Sequence, residues 1–148
     1  MPVDPLDTLG VLAGSRLKER GERLVSAESC TGGWVSQVVT SVAGSSEWFE
    51  RGFVTYSNEA KQELIGVRAE TLAAHGAVSE ETAREMAAGV RERLGAEVGV
   101  SITGIAGPGG GTPEKPVGTV CIAVSAGASA RAVRVQMLGD RDEIRRRS

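Results

Sequence analysis

Apolar positions along this 148-residue chain alternate between two periods: short runs or alternations suited to strands, and longer stretches with apolar residues three and four apart, suited to helices. Asp4 followed by Pro5 supplies an N-cap and a first-turn proline. Leu6, Leu9, Ala13 and Leu17 then share one helical face until Gly21 ends the run. Leu24 to Ala27 is short and apolar enough for a buried strand. Trp34, Val35, Val38, Val39 and Val42 give a helix with one broad apolar side, broken at Gly44-Ser45-Ser46. A second strand is expected over Gly52 to Tyr56, ending at Ser57-Asn58, where a short helix through Lys61, Leu64 and Ile65 begins.

The clearest helical pattern runs from Ser79 to Gly95. Glu80 and Glu81 suit its positive end, Arg91 and Arg93 its negative end, and Ala83, Met86, Ala87, Val90 and Leu94 form its apolar stripe. Val98, Val100 and Ile102 alternate with Gly99, Ser101 and Thr103, which predicts a strand delivering Thr103 to its carboxyl end. Gly104 to Pro116 is too rich in glycine and proline for a regular element. Val117 to Ser125 and Arg131 to Leu138 read as strands joined across Gly127-Ala128-Ser129, and Asp140 opens a capped helix that stops after about two turns. A terminal helix that short buries little, so a chain truncated in its C-terminal helix is an open reading. The alternation predicts a three-layer α/β/α sandwich with a mixed, mostly parallel central sheet, built as a single domain over residues 1–148. Strand order is not set by the pattern.

Composition narrows the function classes. Seventeen basic against nineteen acidic residues give a net charge of −2, so no polyanion partner is expected and nucleic-acid binding is disfavoured. No apolar run is long enough to cross a bilayer, and Met1 to Pro5 has neither the basic start nor the apolar core of a secretion signal, which predicts a cytoplasmic protein with no membrane partner. Cys30 and Cys121 form no metal-ligand cluster with other residues, so no metal is expected. The only histidine, His75, precedes Gly76 in an alanine-rich stretch and reads as a helix-terminal or turn residue rather than the base of a Ser-His-Asp triad.

The segment from Leu24 to Val35 reads as a strand feeding Ser29 into a glycine-rich helix start. Amides at such a turn favour a developing oxyanion or a phosphate, and Gly32 and Gly33 keep side chains off that backbone. Taken alone, the segment reads better as an ordinary cap, with Ser29 or Thr31 bonding an amide of the first turn. Three loops should meet at the carboxyl ends of strands: the one with Ser29, the one from Tyr56 to Lys61, and the one opening at Thr103-Gly104. Together they offer a nucleophile and a base for acyl transfer without histidine, provided burial lowers the lysine pKa toward neutrality. A solvated Lys61 on a short helix is the plainer alternative. A reductase built on Tyr56 and Lys61 is disfavoured, because the two are five residues apart rather than four and no Gly-x-Gly-x-x-Gly follows the first strand.

Ala27-Glu28-Ser29-Cys30-Thr31-Gly32-Gly33, Gly52 to Lys61, Gly76-Ala77-Val78-Ser79, Thr103 to Gly110, Lys115 to Val120 and Gly139-Asp140-Arg141 occur in that order. With them the chain resembles the C-terminal domain of the competence/damage-inducible protein CinA from about residue 5 to its end, and especially the stand-alone members that act as nicotinamide-nucleotide amidohydrolases. The resemblance implies hydrolysis of the carboxamide of nicotinamide mononucleotide to nicotinate mononucleotide and ammonia, with no cofactor. It implies Ser29 as nucleophile, Lys61 as general base and Tyr56 as a hydroxyl that relays or orients the proton. Cys30, Thr31, Gly32, Gly33, Thr103 and Gly104 would surround the substrate and its oxyanion. For the substrate phosphate, Arg145 is the leading candidate and Arg141 the next, with the amides of Gly107 to Gly111 as a nest. Expected partners are the small-molecule nucleotide and further copies of the chain, as a dimer or higher homo-oligomer. The alternative function is a non-catalytic nucleotide-binding regulatory module. Family members usually continue through a longer C-terminal helix and, in the larger architecture, carry an N-terminal nucleotide-hydrolysing domain; this sequence has neither.

Overall fold

The computed structural model describes residues 3–148; Met1 and Pro2, part of the N-terminus read above for a secretion signal, lie outside them. Strands β1 (Leu24–Glu28), β2 (Phe49–Val54), β3 (Val98–Gly104), β4 (Thr119–Ala126) and β5 (Ser129–Gln136) form one mixed sheet in the order β2-β1-β3-β4-β5. The β2-β1-β3 part is parallel, and β4 and β5 are added to it as antiparallel neighbours. Helices α1 (Pro5–Arg20), α2 (Trp34–Thr40), α3 (Asn58–Ile65), α4 (Ala69–His75), α5 (Glu80–Leu94) and α6 (Arg141–Arg147) cover its two faces.

Side-chain alternation along the strands sorts the core into the two outer layers. Val25 and Ala27 of β1 pack against Ile65, Met86 and Val90 from α3 and α5, while Cys121 and Ala123 of β4 meet Ala83 and Ala87 of α5. On the opposite face Leu24, Val98 and Val100 pack against Leu17 of α1, Val39 of α2 and Trp48, and Ile102 and Val120 pack against Ile144 of α6. The layered mixed α/β arrangement expected from the sequence is the one adopted. No helix among the described residues is long and apolar enough to cross a membrane.

Two local differences from the sequence reading have physical causes. Strand β2 begins at Phe49 and ends at Val54, so Thr55 and Tyr56, expected within it, lie beyond its end. The Thr55 amide still donates to the Glu28 carbonyl at 2.7 Å, but the carbonyls of Thr55 and Tyr56 turn to the Lys61 ammonium instead of a strand. In α1 the buried residues are Gly10, Gly14 and Leu17, and Leu9 is exposed. Glycine lets this helix lie close: a Cβ at Gly14 would stand 2.5 Å from the Trp48 ring. His75 closes α4 just before Gly76, the helix-terminal position read for it from the sequence.

Candidate active site

The chain leaves β1 for β2 through α2 on one face and reaches β3 through α3, α4 and α5 on the other, so the topology switches at the carboxyl end of β1. Open α/β sheets place ligand crevices at such points. A cleft of about 250 Å³ lies there, lined by Ser29, Cys30, Tyr56, Lys61, Ala77, Val78, Thr103, Gly104, Ala106 and Arg141. A larger hollow of about 470 Å³ along α4 and α5 is lined mainly by charged side chains, among them Arg68, Glu81, Arg84 and Glu85, and holds no serine or lysine.

Ser29 follows β1 directly. Its amide donates to the Ile102 carbonyl at 2.9 Å, extending the β1–β3 pairing by one bond and fixing where the side chain emerges. Lys61 sits one turn into α3, whose N-cap Ser57 accepts from the Ala60 amide, and its side chain is 1% exposed. Its Nζ lies 3.0 Å from Ser29 Oγ, 2.8 Å from the Thr55 carbonyl and 3.1 Å from the Tyr56 carbonyl. Burial pulls the ammonium down from its ordinary value to about 8, so a usable fraction is neutral near physiological pH. The plain alternative of a solvated lysine does not hold for Lys61. The ordinary-cap reading of Ser29 fails likewise, since its hydroxyl bonds Lys61 and the Tyr56 carbonyl rather than a helix amide.

Helix α2 is capped instead by a residue that sequence reasoning did not single out. The Glu28 carboxylate, 1% exposed, accepts from the Val35 amide (2.9 Å), the Ser36 amide (3.1 Å), the Thr31 hydroxyl (2.5 Å) and the Ser36 hydroxyl (3.3 Å). The detectable signal was an acidic residue ending an otherwise apolar strand, followed at the third position by Thr31 and then by a helix. Between them Gly32 (φ 61°) and Gly33 (φ 108°) make a left-handed turn that a residue with a Cβ adopts only under strain. Among the described residues the amides of Cys30 and Thr31 make no hydrogen bond, and both lie in the turn that carries Ser29.

The remaining residues named from the sequence divide into those brought to the cleft and those placed elsewhere. Tyr56 lines it, but its contacts with Ser29 and Lys61 are made by the backbone carbonyl; the phenol is largely solvent-facing, the residue being 62% exposed. Thr103, next to last in β3, donates its hydroxyl to the Ala77 carbonyl at 2.9 Å, which ties the wall formed by Ala77 and Val78 to the sheet. Gly104 packs so closely that a Cβ would stand 3.1 Å from Cys30 Sγ. The Cys30 thiol is pushed up to about 11 by burial and is a protonated wall group at neutral pH. Arg141 reaches the cleft and donates Nη1 to the Gly107 carbonyl at 2.7 Å. Arg145 does not line the cleft: its Nε donates to the Cys30 carbonyl (3.0 Å) and its Nη2 to the Thr31 carbonyl (3.3 Å), from the side of α2 and α6. Among the described residues no group of three or more His, Cys, Asp or Glu side chains is placed to hold a metal ion.

Comparison with known proteins places the chain in a family. The model of the CinA C-terminal domain matches residues 7–148. The chain is 57% identical over 136 residues to the nicotinamide-nucleotide amidohydrolase PncC of Escherichia coli (strain K12), covering 91% of this chain and 82% of that protein. It is 54% identical over 142 residues to a CinA-like protein of Anaeromyxobacter dehalogenans, of which it spans only 35% while 96% of this chain is covered. Among solved structures, the competence/damage-inducible protein CihA of Agrobacterium tumefaciens superposes with a TM-score of 0.92 at 42% identity, over 98% of this chain and 90% of that one. The competence damage-inducible protein A of Klebsiella pneumoniae superposes with a TM-score of 0.93 at 36% identity, over 97% and 89% of the two chains.

Proposed function

The chain belongs to the family of CinA C-terminal domains, and we propose that it is an amidohydrolase that converts nicotinamide mononucleotide to nicotinate mononucleotide and ammonia through a Ser29–Lys61 dyad. The observation that carries this reading is the buried Lys61 amine 3.0 Å from Ser29 Oγ in a cleft at the switch point. The name of the E. coli relative supplies the substrate class.

In this mechanism neutral Lys61 Nζ accepts the Ser29 hydroxyl proton as Oγ bonds to the carboxamide carbon. The carbonyl electrons move to oxygen, and the amides of Cys30 and Thr31 stabilise the resulting oxyanion. Collapse of the tetrahedral species breaks the carbon–nitrogen bond, and the Lys61 ammonium returns its proton to the departing nitrogen, which leaves as ammonia. Water then attacks the acyl-serine while Lys61 accepts its proton. Loss of the carboxylate restores the Ser29 hydroxyl. Each cycle consumes one amide and one water and yields one carboxylic acid and one ammonia. Arg141 on the cleft wall is the phosphate anchor in this reading, a role suited to a planar, permanently charged donor.

The test is incubation of purified protein with nicotinamide mononucleotide and measurement of nicotinate mononucleotide and ammonia. Both products, in equal amounts, are expected. Tight binding of the nucleotide without ammonia release would make the cleft a regulatory binding module instead.

A further inference from the structure

The turn from Ser29 to Gly33 is gripped from two sides by groups outside the dyad. On one side the buried Glu28 carboxylate collects the Thr31 hydroxyl and the amides of Val35 and Ser36. On the other, the Arg145 guanidinium, 5.5 Å from the centroid of the Trp34 ring, donates to the carbonyls of Cys30 and Thr31. The Cys30–Thr31 peptide bond is trans, so its carbonyl and its N–H point in opposite directions. A guanidinium fixed on the Cys30 carbonyl therefore turns the Thr31 N–H away from α6. Glu28 meanwhile holds the amides of Val35 and Ser36, and among the described residues the unbonded amides of the turn are those of Cys30 and Thr31, next to Ser29, and of Gly33 at its far end.

We propose that Glu28 and Arg145 are positioning residues that lock the Ser29–Gly33 turn so that the amides of Cys30 and Thr31 stand preset beside Ser29 Oγ. The link to catalysis rests on the amidohydrolase reading above; the locking of the turn does not. An oxyanion donor is effective when it costs no reorganisation at the moment of reaction, and a five-residue turn containing two left-handed glycines has no such rigidity of its own. Arg145 acts here on backbone carbonyls, and the nucleotide phosphate is left to Arg141.

The experiment compares wild type, Glu28→Gln and Arg145→Met in two measurements: steady-state kinetics on nicotinamide mononucleotide and on its riboside, and hydrogen exchange of the free protein over residues 29–36. Glutamine keeps the volume of Glu28 but sets an NH2 against donors, and Arg145→Met, at a partly exposed site, decides the matter if the buried substitution fails to fold. Both variants are expected to lower kcat by roughly 10- to 100-fold with KM within about twofold, on both substrates, as for a weakened oxyanion site. Exchange over residues 29–36 should rise at least about tenfold while α5 and β3 keep their protection. A rise in KM confined to the phosphorylated substrate, with kcat and exchange unchanged, would make Arg145 a phosphate ligand and overturn the proposal, as would unchanged kcat and exchange. Should wild type release no ammonia while the variants still loosen the turn, the substrate reading fails and the locking role stands.

Discussion

Lys61 Nζ meets Ser29 Oγ at 3.0 Å while the carbonyls of Thr55 and Tyr56 occupy its other two hydrogen-bonding directions. A neutral amine has two N–H groups and one lone pair. With both N–H groups held by carbonyls, the lone pair of the neutral amine is left for the serine hydroxyl, the arrangement that the proposed general-base role requires.

The pH profile follows from burial. With Lys61 drawn down to about 8, kcat/KM should climb about tenfold per pH unit below that value and level off above it, as the neutral fraction saturates. Lys61→Met should lose on the order of 10²- to 10⁴-fold, and Lys61→Arg should not recover it because a guanidinium stays protonated. Ser29→Ala should abolish ammonia release while keeping the wild-type melting temperature to within a few degrees. A flat profile between pH 6 and 9 would remove Lys61 from proton transfer.

The same lysine carries a stability signature that is independent of substrate. Folded Lys61 gives up its proton near 8, whereas in the unfolded chain it does so near the ordinary value of about 10.4. Between these values the unfolded chain binds more protons, so stability rises with pH there, and below about 8 the whole penalty of burying the ammonium is in place. Wild type should therefore gain on Lys61→Met by roughly 1–3 kcal/mol between pH 8 and 10.5, read from urea melts at both ends. A constant difference between the two proteins would show that Lys61 titrates as an exposed lysine does.

Tyr56 contributes a carbonyl rather than a phenol to the dyad, so Tyr56→Phe should change kcat less than about tenfold, below the range for a lost proton relay. Any larger effect should fall on KM, because the ring borders the cleft. A hundredfold drop in kcat at unchanged KM would return the hydroxyl to the chemistry.

How far the sequence exposes all this differs from residue to residue. β1 is visible as a short run buried on both faces, whereas β3 and α5 are visible because their apolar positions follow the strand and helix repeats. The joining of β4 to β5 was visible in the short Gly127-Ala128-Ser129 link, of which Ser129 proves to open β5, but the order β2-β1-β3-β4-β5 was not, since each crossover could return to either side of β1. Ser29 stands out through its glycine-rich turn. Lys61 does so only through family likeness, because what distinguishes it from a surface lysine is burial at the ends of β1 and β2, made by contacts about thirty residues away in the chain. Glu28 and Arg145 act through backbone groups, and neither leaves a spacing pattern beyond the turn itself.

Arg141 is the cationic side chain that both lines the cleft and belongs to the C-terminal segment, and it is anchored there by the Gly107 carbonyl. Arg141→Ala should raise KM for nicotinamide mononucleotide by about 10- to 100-fold, the equivalent of roughly 1.5–3 kcal/mol for a lost charged hydrogen bond, with a smaller effect on kcat. The riboside, lacking the phosphate, should be a poorer substrate for wild type and lose little more in the variant. Equal losses on both substrates would assign Arg141 to holding the Gly107 loop rather than to the phosphate.

The packing of α5 on α3 ties the core to the dyad through one glycine. A Cβ placed on Gly89 would lie 1.9 Å from the carbonyl oxygen of Ile65, the last residue of α3 and one turn beyond Lys61. Helix propensity alone makes Gly→Ala at an interior position favourable by about 1 kcal/mol. The clash is with backbone, which cannot rotate aside, so overpacking should win and Gly89→Ala should be destabilised by roughly 1–3 kcal/mol. Relief requires α3 to move away from α5, and that displacement is passed to the Lys61 amine, whose contact with Ser29 has little slack at 3.0 Å. Kinetics should then show a lower kcat with KM nearly unchanged, together with a lower melting temperature. A more stable Gly89→Ala with full kcat would mean that the two helices part without disturbing the dyad, and that α3 is held by its contacts with the sheet rather than by α5.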